Sequence, residues 1–263
     1  MSRSHRSLRL AIREVRSFLH SPVGWIILAS FFGIAAWVFL SVLGIFHQSA
    51  LSFAQRSQIR PSEVGLHVND FVIRPYLFNL GSILLIFIPL LTMRSIAEER
   101  RTGSLELLFS YPLRASEIIT GKFLGAALSL AALFCVLPLH GLILGAVSEV
   151  DWGASLVGVL GLVLLGFFMI SLGILISSLS NSQIEAGVLT LGVLLLLGLG
   201  PGVAEAASPN LARVLGFLAV LDRFEDFTRG VLELRHVAFF LGGTVLWLAL
   251  AVRSLDLLRW RGA

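Results

Sequence analysis

A single cysteine, Cys135, stands in the 263 residues, so no disulfide can form within them. Charge is scarce too. Asp, Glu, Lys and Arg make up 14% of the chain against 56% hydrophobic residues, too little polar surface to cover a water-soluble core of that composition. The motifs of several chemistries are missing. There is no GxxxxGK[ST] phosphate loop, because Gly121-Lys122 is followed by Phe123, and there is no HExxH. The six histidines (His5, His20, His47, His67, His140, His236) show no metal-ligand spacing within one helix. No catalytic residue, cofactor site or metal site is therefore expected in this chain. Acids are nearly absent from the apolar runs, Glu185 being the one that falls inside, which weighs against a proton-driven transporter or an intramembrane hydrolase. The net charge of +4 sits beside apolar runs, where lipid headgroups rather than nucleic acid supply the counter-charge.

What the chain has in quantity is long apolar sequence, with a mean hydropathy of +0.90. Six apolar runs, at 23–46, 76–93, 123–147, 154–179, 184–204 and 236–252, approach or exceed the roughly 20 helical residues that cross a bilayer. They are continuous rather than alternating, and a helix satisfies its own backbone in lipid, so helices are expected rather than barrel strands. The first run has 24 residues, longer than the roughly 7 to 15 of a signal-peptide core, and is expected to be an uncleaved span. The fold class expected is an all-α membrane protein, one domain over 1–263 with six transmembrane helices. Thirteen Lys and Arg residues lie in the N-terminal segment, the segment 94–122 and the C-terminus, against seven in 47–75 and 205–235. The positive-inside rule then puts both termini and 94–122 in the cytoplasm of a multi-pass protein of the cell membrane, the inner membrane in a bacterium.

Three segments outside the runs have patterns of their own. In 7–19, Leu8, Ile12, Val15 and Leu19 recur at helical spacing while Arg9, Arg13 and Arg16 fall on another face, which predicts an amphipathic helix along the membrane surface that turns inward at Ser21-Pro22. In 205–235, GLGPG (198–202) should end a helix. The apolar stretch 209–221 is too short to cross, and 222–237 mixes aromatic and charged residues, so two re-entrant or interfacial helices are expected. The third segment, 94–122, holds eight charges between Glu98 and Lys122. Gly103 should stop any helix running in from the second span, Thr102 or Ser104 can cap a new one near Leu105, Tyr111-Pro112 should stop that one, and Ser116-Glu117 should start the next. A short leucine-bearing helix flanked by Glu98, Glu99, Arg100, Arg101 and Glu106 has the form of a docking knob. Pro89 and Pro138 are expected bends, and Gly158, Gly161, Gly187, Gly192 and Gly198 should allow close helix contact.

The stretch AEERRTGSLELLFSYPLRASEIITGKFLG, 97–125, resembles the signature after the second span of ABC-2 type transporter permeases, E-x-x-x-G-[TS]-x-E-x-L followed by a proline. Glu99, Gly103, Ser104, Glu106, Leu108 and Pro112 fill it, with Ser104 in place of the commoner Thr. FEDFTRGVLELRHVAFF, 224–240, resembles the stretch before the last span in the gliding-motility and multidrug branch. The resemblance implies the membrane subunit of an ATP-driven exporter. ATP and Mg would be bound by separate cytoplasmic ABC ATPase subunits, and a second permease copy or a paralogue would complete the pathway. It implies that Gly103, Ser104, Leu105, Glu106, Leu107, Leu108 and Pro112 form the ATPase-coupling element, that Glu98, Glu99, Arg100 and Arg101 flank it, and that Leu8, Ile12, Arg13, Val15 and Arg16 belong to the interfacial helix beside it. The alternatives are a permease dedicated to gliding or to maturation of a periplasmic metalloenzyme and, from another class, a nucleotide-independent secondary transporter or a membrane scaffold.

Overall fold

The computed structural model describes residues 3–57, 68–104, 114–204 and 219–261, and every regular element among them is a helix. The order is α1 (Arg3–His20), α2 (Pro22–Ser57), a π-helical turn (Asn69–Ile73) leading into α3 (Arg74–Thr92), α4 (Ala97–Arg101), α5 (Ala115–Phe134), α6 (Val136–Val147), α7 (Trp152–Leu179), α8 (Gln183–Ala204), α9 (Val220–Thr228) and α10 (Leu234–Arg261). Among the described residues five stretches are long and apolar enough to cross a membrane: Pro22–Ser52, Asn69–Arg101, Ala115–Val147, Trp152–Leu179 and Leu234–Arg259. The fifth of the six expected runs forms α8, whose apolar part, Gln183–Gly198, is shorter.

The breaks between helices have local causes. Pro138 has no N–H to offer the carbonyl of Phe134, and the helix divides there into α5 and α6, with the Cys135 N–H donating back to Ala132 O at 3.4 Å. At Pro89, by contrast, α3 runs on to Thr92. Asp151 caps α7 by accepting from the Gly153 and Ala154 N–H groups. Glu185 is exposed and closes a capping box at the start of α8. Its Oε2 accepts from the Asn181 N–H at 2.9 Å while Ser182 Oγ accepts from the Glu185 N–H at 3.2 Å. That box accounts for the one acid inside an apolar run.

In lipid the hydrophobic effect does not drive helices together, so close contact must. The central helix is α7, which packs on α3, α5, α8, α9 and α10. Its small residues admit neighbours closely: Gly161 faces the Phe227 ring and Gly173 faces Thr92. Gly192, also expected to permit close contact, has no atom within 4 Å of where a Cβ would stand.

Among the described residues, the helix ends and turns sort to the two ends of this bundle. At one end lie α1, the turn and helix 93–101, the α7–α8 turn and the last turns of α10, where Ser254 Oγ donates to Ser178 O at 3.5 Å. At the other end Asn69 clasps Asp151, its Nδ2 donating to the Asp151 carbonyl at 2.8 Å and its Oδ1 accepting from the Asp151 N–H at 2.9 Å. Helix α9 belongs to this second end. It is wedged against α3, α7 and α8 with Phe224 and Phe227 fully buried, so it is part of the bundle rather than a helix resting on a surface. The apolar stretch expected to form a helix at 209–221 lies, up to 218, outside the described residues.

Arg74 of α3 donates to Glu225 of α9 at 2.7 Å, and Arg229 donates to the same oxygen at 2.9 Å. The hydrogen bond from Arg74, followed by that from Arg229, holds the Glu225 carboxyl below the usual glutamate range. A carboxyl depressed in the folded state stabilises it above the unfolded pKa, and that stability is lost as pH falls through the folded value. With both side chains about a third exposed, the pair is worth on the order of 0.5–1 kcal/mol. Arg74→Gln is expected to melt earlier at neutral pH and to lose less on acidification below about pH 4.3 than the parent protein. Tryptophan-fluorescence melting at a series of pH values checks both parts.

Candidate functional site

The segment that follows the second span is built from pieces too short to stand alone. Helix α4 has five residues, well under the length at which an isolated helix persists in water. It is held by the inner wall of the bundle. Ser177 of α7 accepts from the N–H groups of both Ile96 and Ala97 at 3.1 Å and donates to the Met93 carbonyl at 3.4 Å. A distant serine thus supplies the cap that residues 93–97 lack. Arg100 adds a contact to the Ser180 carbonyl at 3.5 Å. Ser177→Ala would leave two buried amides without their acceptor, at a cost of about 1 kcal/mol. The expected result is faster hydrogen exchange at Ile96 and Ala97 than in the parent protein, with α3 and α7 exchange unchanged.

The helix of the second span already stops at Thr92, and Gly103, expected to stop it, instead follows the end of the separate α4. The Gly103 φ of +73° lies in the left-handed region that glycine reaches without strain. The two neighbouring hydroxyls each bond back to α4. Thr102 Oγ1 donates to Glu98 O at 3.0 Å and Ser104 Oγ to Glu99 O at 3.3 Å. The helix they were expected to cap lies outside the described residues, as do Leu105, Glu106, Leu107, Leu108 and Pro112. On the far side of that gap α5 begins at Ala115, and Glu117 closes its first turn by accepting from the Arg114 N–H at 3.0 Å.

One turn and a half further along α5, Lys122 is 2% exposed. A buried ammonium needs partners, and it has two from different parts of the chain: Glu99 Oε1 of α4 at 2.9 Å and Glu14 Oε1 of α1 at 3.2 Å. Arg13 reaches the same Glu99 oxygen at 3.5 Å. The close approach of α1 depends on two glycines one turn apart. A Cβ at Gly121 would stand 2.7 Å from Leu10 Cδ2, and one at Gly125 would stand 2.6 Å from Glu14 Cβ. Ser7, Leu10 and Glu14 meet Glu117, Gly121 and Gly125 in order, so α1 runs parallel to α5 along its first turns.

This arrangement adds a protein contact to the expected setting of α1. The helix spans Arg3–His20, longer than 7–19, and the face seated on protein is Ser7, Leu10, Ala11 and Glu14. The apolar stripe identified from sequence is a different face: Leu8 and Ile12 are 49% and 42% exposed and Val15 is half-buried. Arg13 and Arg16 are exposed. The site therefore gathers Glu98, Glu99, Arg100 and Arg13 from the expected set and adds Glu14, Lys122, Ser177 and Ser180, which sequence reasoning missed. The available signal was Gly121-Lys122 followed by Gly125, small residues at i and i+4 around a basic residue.

Chemically the cluster is a joint. No group of three or more His, Cys, Asp or Glu able to hold a metal occurs among the described residues. What the ion pairs and the Ser177 cap do is fasten three helices and the segment after the second span into one unit, so displacement of any member is felt by the others.

Comparison with known proteins bears on what such a joint serves. A stretch of 103 residues is 38% identical to ABC transporter G family member 20 of Dictyostelium discoideum; it covers 39% of this chain and 14% of that much longer relative. Residues 8–252 match the family described as ABC-2 family transporter protein. Since that match runs from within α1 to the last turns of α10 and includes the whole joint, the chain belongs to the ABC-2 family of transporter proteins, a membrane transport component.

Proposed function

We propose that this chain is the membrane-spanning permease subunit of an ATP-binding cassette exporter, driven by a separate cytoplasmic ATPase that binds ATP and Mg. The observation that supports this reading most is the Lys122 joint. A family of transport components needs a place where work done outside the membrane enters the spans, and the segment after the second span is the one locked by buried charge to α1 and α5 and by Ser177 to α7. In this reading residues 103–112 seat in the ATPase. Closure of the ATPase pair pushes on α4, and the push passes through Glu99 and Lys122 into α5 and through Ser177 into α7. The spans then tilt as rigid rods, with the break at Cys135 taking up the bend.

The same reading makes α8 the sixth crossing, places both termini and 94–122 in the cytoplasm, and lets the exposed stripe of Leu8 and Ile12 meet the lipid surface while the other face of α1 holds α5. A second permease, identical or paralogous, completes the pathway. Affinity purification of the tagged chain from its native membranes is expected to bring down a protein with phosphate-loop and ABC signature motifs, and the reconstituted pair is expected to hydrolyse Mg-ATP. A chain that arrives alone, and that moves cargo in liposomes without nucleotide, contradicts the proposal and favours a secondary transporter.

A further inference from the structure

A cavity of about 480 Å³ opens beside the joint, within the usual size range of small-ligand sites. Its lining combines apolar residues, among them Ile27 of α2 and Leu90 of α3, with charged ones. Among the described residues three cations (Arg13, Arg94, Lys122) and three carboxylates (Glu14, Glu98, Glu99) line it, in equal number. These six are not equally committed. Lys122, Glu14 and Glu99 hold one another at 2.9–3.2 Å. Arg94 Nε and Glu98 Oε2 are 3.9 Å apart, beyond hydrogen-bond length, and both are about 40% exposed; Arg13 makes its contacts at 3.5 and 3.6 Å. Two guanidiniums and the Glu98 carboxylate therefore keep unused hydrogen-bonding capacity beside apolar residues at the end of a span, and Glu99 Oε2 is buried with no hydrogen-bond partner among the described residues.

We propose that this cavity is a binding site for a zwitterionic phospholipid with a primary ammonium headgroup, of the phosphatidylethanolamine type. The phosphate is recognised by Arg94 and Arg13, whose fork of donors suits it, and the ammonium by Glu98, with the upper acyl chain on Ile27 and Leu90. The charge pattern chooses among lipids. A purely anionic headgroup leaves Glu98 unpaired and meets Glu14 and Glu99 at close range, and a quaternary choline has no N–H to donate. A lipid seated here would bridge α1, α3 and α4 beside the joint.

The test uses the purified full-length chain, delipidated in detergent and titrated with mixed micelles of palmitoyl-oleoyl phosphatidylethanolamine, phosphatidylcholine or phosphatidylglycerol, with retained lipid read by native mass spectrometry. The expected result is one ethanolamine lipid per chain, held about tenfold better than the other two, the worth of one charged hydrogen bond. Glu98→Gln should bring the ethanolamine lipid down to the choline level and leave choline binding unchanged, whereas Arg94→Gln should weaken both. Equal retention of the three lipids by the parent protein overturns the proposal, as does a preference that survives Glu98→Gln. A second measurement needs no variant. Carbodiimide should couple the lipid amine to the Glu98 carboxyl as an amide found on that residue by peptide sequencing, and its absence there also counts against the site. No ATPase enters either readout, so failure here leaves the coupling proposal standing.

Discussion

Lys122→Met should destabilise the purified protein by about 2–3 kcal/mol and abolish coupled transport. The magnitude follows from what is left behind. Removing one member of a buried ion pair costs about 3–5 kcal/mol when the remaining charge is fully desolvated. Here the Glu14 and Glu99 side chains are 30% and 18% exposed and can draw in some water, which lowers the figure. Two carboxylates that shared one ammonium would then repel each other across the α1–α4 contact, and Arg13, which reaches both at 3.5 and 3.6 Å but is 58% exposed, would offset only part of the loss. Thermal melting in detergent and chemical denaturation measure the stability loss. Gly125→Val separates charge from contact. Its Cβ would collide with Glu14, so α1 is levered off α5 while Lys122 remains, with the roughly 1–3 kcal/mol cost of overpacking. If the joint transmits force, both variants uncouple ATP hydrolysis from transport. If Lys122 serves stability alone, Gly125→Val loses stability and keeps its coupling.

The parts of this fold that were legible in sequence are those decided locally. Apolar runs fixed five helices able to cross a membrane and the shorter α8, because satisfying the backbone in lipid leaves the helix as the one option for a continuous run. The helix break at Gly103 and the start at Glu117 were also readable, since a positive φ and an N3 carboxylate are properties of a few neighbouring residues. The joint was not readable. Glu14 and Lys122 are 108 positions apart, and nothing in either local pattern names the other. Lys122 stands at the head of an apolar run and enters the positive-inside count as one more charge, and nothing in the pattern around Ser177 marks it out. The protein-facing side of α1 was unreadable for a related reason. The Leu8-Ile12-Val15 stripe is visible in the local pattern, whereas the seating of Leu10, Ala11 and Glu14 depends on the groove that Gly121 and Gly125 offer more than a hundred residues away. Residues 105–113, which hold most of the expected coupling element, lie outside the described residues, so that element rests on the sequence pattern and on the joint at its two roots.

The pair Leu107 and Leu108 is where the ATPase is expected to gain its apolar anchor. Burying two carboxylates in a cleft that receives leucines forfeits two anchors, each worth about 2 kcal/mol or more, and adds desolvation, so binding should weaken at least about 100-fold. The same change lies outside the apolar runs and removes nothing from the Lys122 joint, so insertion and folding of the permease should persist. The deciding measurement is therefore copurification of the ATPase with the Leu107→Asp, Leu108→Asp double variant, quantified against the parent chain at equal membrane abundance. Loss of the ATPase with an intact, correctly inserted permease is the expected result; retention of the ATPase at the parent ratio contradicts the assignment of 94–122 as the point where the engine meets the membrane.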